Sequence, residues 1–162
     1  MRYLALAGAI AITGCSVDNS DSDGTIYTYT EEQTDATGIV LEPGGDMHVN
    51  FETVSALYQD TMSCMGMTAP PPTVAFIDFM QRYGVIGGWG VYIPAGPNLV
   101  WINTRIEEVI PRNYASDSET LKHEYVHHIL YENGLEWQGH GNPLWEKCGF
   151  GLVVVDGVPQ SM

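Results

Sequence analysis

The sequence predicts an α+β domain, and three observations carry that reading. Apolar residues recur at helical spacing after Asn50, short β-rich runs follow between 73 and 102, and a second well-bounded helical stretch opens near residue 117. In the first stretch Phe51, Val54, Leu57, Tyr58, Thr61, Met62 and Met65 share a face behind a favourable N-cap, Asn50, which gives a helix over 51–65. Pro70-Pro71-Pro72 ends any helix, and Thr73-Val74-Ala75-Phe76-Ile77 reads as a strand. Residues 84–90 are glycine-rich but lack the Lys-Ser/Thr of a phosphate loop, so they read as a turn. Val91-Tyr92-Ile93 and Leu99-Val100-Trp101-Ile102 flank Pro94-Ala95-Gly96-Pro97, which reads as a hairpin. A short helix over 104–110 precedes Pro111. Ser116-Asp117-Ser118-Glu119 has the Ser-x-x-Glu capping-box pattern, and Asn133-Gly134 is a stop, which bounds a helix over about 117–132. A helical turn near 143–148 and a final apolar run, Leu152-Val153-Val154-Val155, complete the chain.

Composition narrows the function. The 162 residues carry 20 acidic and only 6 basic side chains, a net charge of −14, without a Lys/Arg cluster. That disfavours nucleic acid as a partner, because such binding rests mainly on phosphate neutralisation, and none is expected. No apolar run approaches the roughly 20 residues of a membrane-spanning helix. With 44% hydrophobic residues and 10% aromatics, one packed core is within reach, and the length favours a single domain.

The N-terminus reads as a targeting segment. Met1-Arg2 is a minimal positive region, residues 3–11 are apolar, and Ile12-Thr13-Gly14-Cys15 places small residues before a cysteine. This resembles a bacterial lipoprotein signal, which implies removal of residues 1–14 and lipidation of Cys15. The acyl chains would anchor the domain to a membrane. Ser16, in place of Asp, points to the outer membrane of a bacterial cell envelope. A cleaved secreted protein with a chance cysteine is the plainer alternative. Residues 15–46 then read as a lipidated cysteine and an acidic disordered tether. They hold many carboxylates, no Lys or Arg, and few large apolar residues. The folded domain is expected over 47–162. If Cys15 is lipidated, Cys64 and Cys148 remain as one disulfide pair. The alternative leaves Cys148 as a free thiol or a metal ligand.

His123-Glu124-Tyr125-Val126-His127 lies inside the second long helix. Residues four apart sit one turn along the same face, so both imidazoles can aim at one ion. Glu124 projects about 100° away and borders that face, placed to take a proton from a zinc-activated water. Random order at this composition yields roughly 0.01 such matches per chain of this length. A catalytic zinc usually has three protein ligands. His140 lies where the chain can fold back, and Glu146 is the alternative. The metzincin spacing would need a histidine where Asn133 stands.

His123-Glu124-x-x-His127, followed by His140-Gly141-x-x-x-Trp145, resembles the SprT-like zinc metallopeptidases. The tail Trp145-Glu146-Lys147-Cys148-Gly149 is similar to that of small bacterial lipoproteins of zincin type. The resemblance implies His123, His127 and His140 as Zn2+ ligands and Glu124 as general base. It also implies a small zincin-like fold: a three- to four-stranded sheet packed on an N-terminal helix and the HExxH helix. A peptide or protein would be the substrate, aligned along an edge strand made by 91–93 or 99–102, and the chain would act as a monomer. A catalytically inactive zinc-binding or protein-binding lipoprotein is the competing reading. Other residues have bland readings. His128 is expected at the surface or behind the ligands, and His48 at the surface. Met62, Cys64, Met65 and Met67 fit a core better than a copper site, and Tyr92 or Tyr114 are candidate oxyanion donors.

Overall fold

The computed structural model describes residues 27–28, 31–42, 46–47, 49–78, 90–94, 98–104, 117–148, 152–155 and 158–161. The segment 1–14, Cys15, His48, the short helix expected over 104–110 and Tyr114 lie outside them. Helix α1 spans Phe51–Met65. The Asn50 side chain accepts from the Thr53 backbone N–H at 2.7 Å, as an N-cap should. Gly66 closes the helix at φ 66°, and Met67 N–H returns to the Met62 carbonyl at 3.1 Å. Helix α2 spans Asp117–Glu132 and helix α3 Pro143–Lys147, the latter capped by Asn142 with Pro143 at its start.

Five strands make the main sheet: β2 (Gln33–Thr34), β3 (Val40–Glu42), β5 (Thr73–Ile77), β6 (Gly90–Ile93) and β7 (Leu99–Asn103), in the order β2-β3-β5-β7-β6. β3, β5 and β7 run parallel, and β2 and β6 are antiparallel to their neighbours. Two small two-stranded ribbons pair β1 (Tyr27–Thr28) with β4 (Asp46–Met47) and β8 (Leu152–Val155) with β9 (Val158–Ser161). The expected α+β class stands, with one strand more than expected.

One apolar core joins a face of the sheet (Ile39, Leu41, Val74, Phe76, Tyr92, Val100, Ile102) to α1 through Val54, Leu57 and Tyr58. The same core takes Leu121, Tyr125, Val126 and Ile129 from α2. The core-facing residues of β5 and β7 alternate, Val74 with Phe76 and Val100 with Ile102, but β5 is buried at all five positions, Ala75 and Ile77 packing with Trp101 on the other face.

The tether reading of 15–46 is corrected within 33–42. Those residues supply β2 and β3, and Ile39 and Leu41 are buried in the core. Acidic composition hid a short alternation in which Ile39 and Leu41 face inward. Asp35 pins this stretch down. Its carboxylate accepts from Thr37 N–H at 2.9 Å, Thr37 Oγ1 at 2.7 Å, Ile39 N–H at 3.0 Å and the Ser55 hydroxyl on α1. Burial alone would raise this carboxyl, but the bonds from Ser55, Thr37 and Ile39 outweigh it and hold it below its ordinary value of 3.8. Asp35→Ala should therefore cost about 1–2 kcal/mol, at the lower end because the site is partly solvated. The contribution is present above pH 3.8 and lost as pH falls through the lowered value. Urea unfolding of both chains at neutral and acid pH checks this; equal stability at neutral pH would refute it.

Cys64 and Cys148 form the expected disulfide, with Cα atoms 5.6 Å apart, and it fastens α3 to the last turn of α1. Among the described residues no helix is long and apolar enough to cross a membrane.

Candidate metal centre

Helix α2 carries His123, Glu124 and His127, and one helical turn stacks the two imidazoles. Their Nε2 atoms lie 3.2 Å apart. After α2, Gly134 turns left-handed at φ 68°, and Leu135 N–H returns to the Leu130 carbonyl at 2.9 Å. The chain then doubles back over 136–142 and delivers His140. The ligand atoms of His123, His127 and His140 all lie within 4.8 Å of one another, so these three histidines can hold a metal ion.

The donor set fits a tetrahedral ion. Two nitrogens, each about 2.0–2.1 Å from such an ion, stand roughly 3.3 Å apart, close to the observed 3.2 Å. His127 Nδ1 donates to the Trp137 carbonyl, which leaves the Nε2 lone pair facing the centre. Burial, then the neighbouring His127 and His140, push His123 down to about 3. Burial also lowers His127 against the opposing pull of the Trp137 carbonyl. Both imidazoles are therefore neutral near pH 7, the state in which they are donors to a cation. Trp145 of α3 closes the group, its ring centroid 4.8 Å from those of His123 and His127 and 4.6 Å from that of His140.

Glu124 stands beside the ligands in a narrow slot, 5% exposed. A Cβ on Gly90 would lie 2.8 Å from its Cγ and Oε1, so only glycine lets the edge strand come this close. Burial raises the Glu124 carboxyl to about 8, partly offset by a hydrogen bond from the Tyr92 backbone N–H. This carboxyl, raised by burial, directly follows His123 on α2, where His123 and His127 are neutral.

No family model, no curated protein and no solved structure matches the chain. The geometry stands on its own.

The structure brings together three of the residues singled out by sequence, His123, His127 and His140, while Glu124, next to His123 on α2, has its carboxylate against Gly90 and the Tyr92 N–H. Glu146 lies on α3, but its side chain is outside the described part. Cys148 is spent in the disulfide, which removes it as a ligand and Cys64 from any copper site. His128, expected at the surface or behind the ligands, lies in the core. It is fully buried, its Nε2–H donating to the Pro70 carbonyl at 2.8 Å, with Tyr58 and Tyr92 rings against it. Counting helical angles placed it off the metal face correctly, but the proline carbonyl that satisfies it is distant in sequence.

Tyr92 differs from expectation too. Its hydroxyl donates to Asn98 Oδ1 at 3.0 Å, and Asn98 Nδ2 in turn donates to Glu132 Oε1 at 2.8 Å. It is the backbone N–H of Tyr92 that reaches Glu124. Gly90, that N–H and the Trp137 carbonyl are the parts of the site that sequence reasoning missed. No local signal marks them, since each meets α2 only through the fold.

Proposed function

We propose that this chain is a zinc-dependent peptidase of HExxH type, resembling the SprT-like and lipoprotein zincins, anchored through Cys15 in the bacterial cell envelope at the outer membrane. The observation that carries the reading is the set of three convergent histidines, with the buried Glu124 next to His123 on the same helix. A bound Zn2+ would supply Lewis acidity toward a peptide carbonyl and acidify a water. His123, His127 and His140 would hold it, and Trp137 keeps the His127 ring in the right tautomer.

Glu124 takes the proton of the attacking water and returns it to the departing amine. A bound dication nearby would favour the charged form of its carboxyl, against the raising effect of burial. Of the two strands considered for substrate alignment, β7 is interior, paired with β5 and β6, whereas among the described residues β6 pairs on one side only. An extended peptide would add to β6, the strand whose Gly90 and Tyr92 N–H meet Glu124. With 6 basic against 20 acidic side chains the sequence disfavours nucleic acid, and a peptide or protein is the substrate class.

The test is metal content with activity. The full chain should bind one zinc, lose it or bind it far more weakly as His140→Ala, and hydrolyse an unstructured protein only when zinc-loaded. Zinc bound at full stoichiometry without hydrolysis would leave an anchored zinc-binding protein instead. Zinc retained by His140→Ala would transfer the third ligand to Glu146.

A further inference from the structure

The ligand His140 is held less firmly than its partners. His123 and His127 ride on a four-turn helix packed into the core, whereas His140 is exposed and lies in neither helix nor strand. Among the described bonds, the stretch 136–141 is tied down by the Trp137 carbonyl at His127 and by Gly139 N–H to Glu136 Oε1 at 2.6 Å. The second of these is internal to the stretch. On its far side the chain enters α3, a single short helix that carries Trp145 against all three imidazoles.

What fastens α3 is its C-cap residue, Cys148, bonded to Cys64 on α1. Among the described residues the other attachments are the apolar packing of Leu144, Trp145 and Cys148 on the core and a contact of Cys64 Sγ with the Lys147 carbonyl at 3.9 Å. A five-residue helix has no stability of its own. Both ends of the His140 segment are therefore fixed, one by α2 and the other by a covalent bond to α1.

We propose that the Cys64–Cys148 disulfide positions the third metal ligand, so that the affinity of the three-histidine centre for its ion follows the thiol–disulfide state of this pair. Reduction by a dithiol transfers two electrons and two protons: the S–S bond breaks, two thiols form, and the reductant closes to its own disulfide. α3 is then freed from α1, the Trp145 wall loosens, and His140 loses its fixed approach. The inference rests on the metal centre and not on peptide hydrolysis.

The test is zinc affinity by chelator competition on the full chain, with and without C64S/C148S, each in the native and the His140→Ala background. The double serine variant leaves Cys15 as the only cysteine, so no wrong pair can form. With His140 present, opening the disulfide should weaken zinc by roughly 10–100-fold, the range for groups that orient ligands. In the His140→Ala background the same change should cost less than about 2-fold. Equal affinities with His140 present, or the same loss in both backgrounds, would overturn the proposal. A general loss of stability would act in both backgrounds alike.

The reciprocal measurement uses the unaltered chain and does not depend on how the variant folds. Its disulfide should resist reduction in a glutathione buffer more strongly with zinc than without, by the same factor. A zinc-independent equilibrium overturns the proposal. A wild-type chain that binds no zinc would instead defeat the metal centre itself, and the two failures are separate readings of one titration.

Discussion

Glu124→Gln should retain its zinc and lose hydrolysis by about 10²–10⁴-fold, the usual contribution of a positioned general base. Gln has the shape of Glu and keeps an oxygen for the Tyr92 N–H, so the slot beside Gly90 stays filled. What it cannot do is take a proton. A hydrolysis rate within a few-fold of wild type, at unchanged zinc content, would remove Glu124 from the mechanism. The variant carries a second signature in the metal-free chain. The wild-type carboxyl is raised from 4.5 to about 8 on folding, so its favourable contribution is complete below 4.5 and is lost as pH rises through 8. Gln has no charge to bury. Above pH 8 the variant should therefore unfold at higher urea concentration than the wild type, and a lower midpoint there would contradict the burial of Glu124.

Gly90→Val should destabilise by about 3 kcal/mol, because a side chain is forced into a filled space. Its Cβ alone would meet Glu124 Cγ and Oε1 at 2.8 Å and Thr120 Cγ2 at 3.0 Å. Glu124 cannot swing aside cheaply, being buried and held by the Tyr92 N–H. The strand must lift off α2 or the carboxylate must leave its place. Urea midpoints measure the first, and hydrolysis by the fraction still folded measures the second. A variant as stable and as active as the wild type would mean that β6 does not lie this close to α2.

How far the molecule was legible depends on whether a signal is local. Helix α1 declared itself through Asn50 and the spacing of its apolar face, and Asn133-Gly134 marked the end of α2. His123 and His127 were legible for the same reason, since one turn of one helix sets their distance. The pairing of Cys64 with Cys148 followed from counting. β3 was missed because the acidic character of the stretch around it outweighs two inward residues, Ile39 and Leu41. Gly90 was read as part of a turn, and its function as a wall for Glu124 exists only once β6 is laid across α2. The carbonyls of Pro70 and Trp137 belong to the same class, groups with no side-chain identity to read.

The placement of the site has a consequence for how its two properties can be separated. The three histidines fall between His123 and His140 on one continuous piece of chain, whereas the surroundings of Glu124 come from a strand that precedes the helix by many residues. The ligands themselves are thus written into one segment, and the surroundings of the proton acceptor into the assembled sheet. A lineage of such chains could lose the second while keeping the first through changes in β6 alone, with every letter of the histidine motif intact. Inspecting the motif would then say that an ion is held, while the residue facing Glu124 across the sheet edge would say whether anything is done with it.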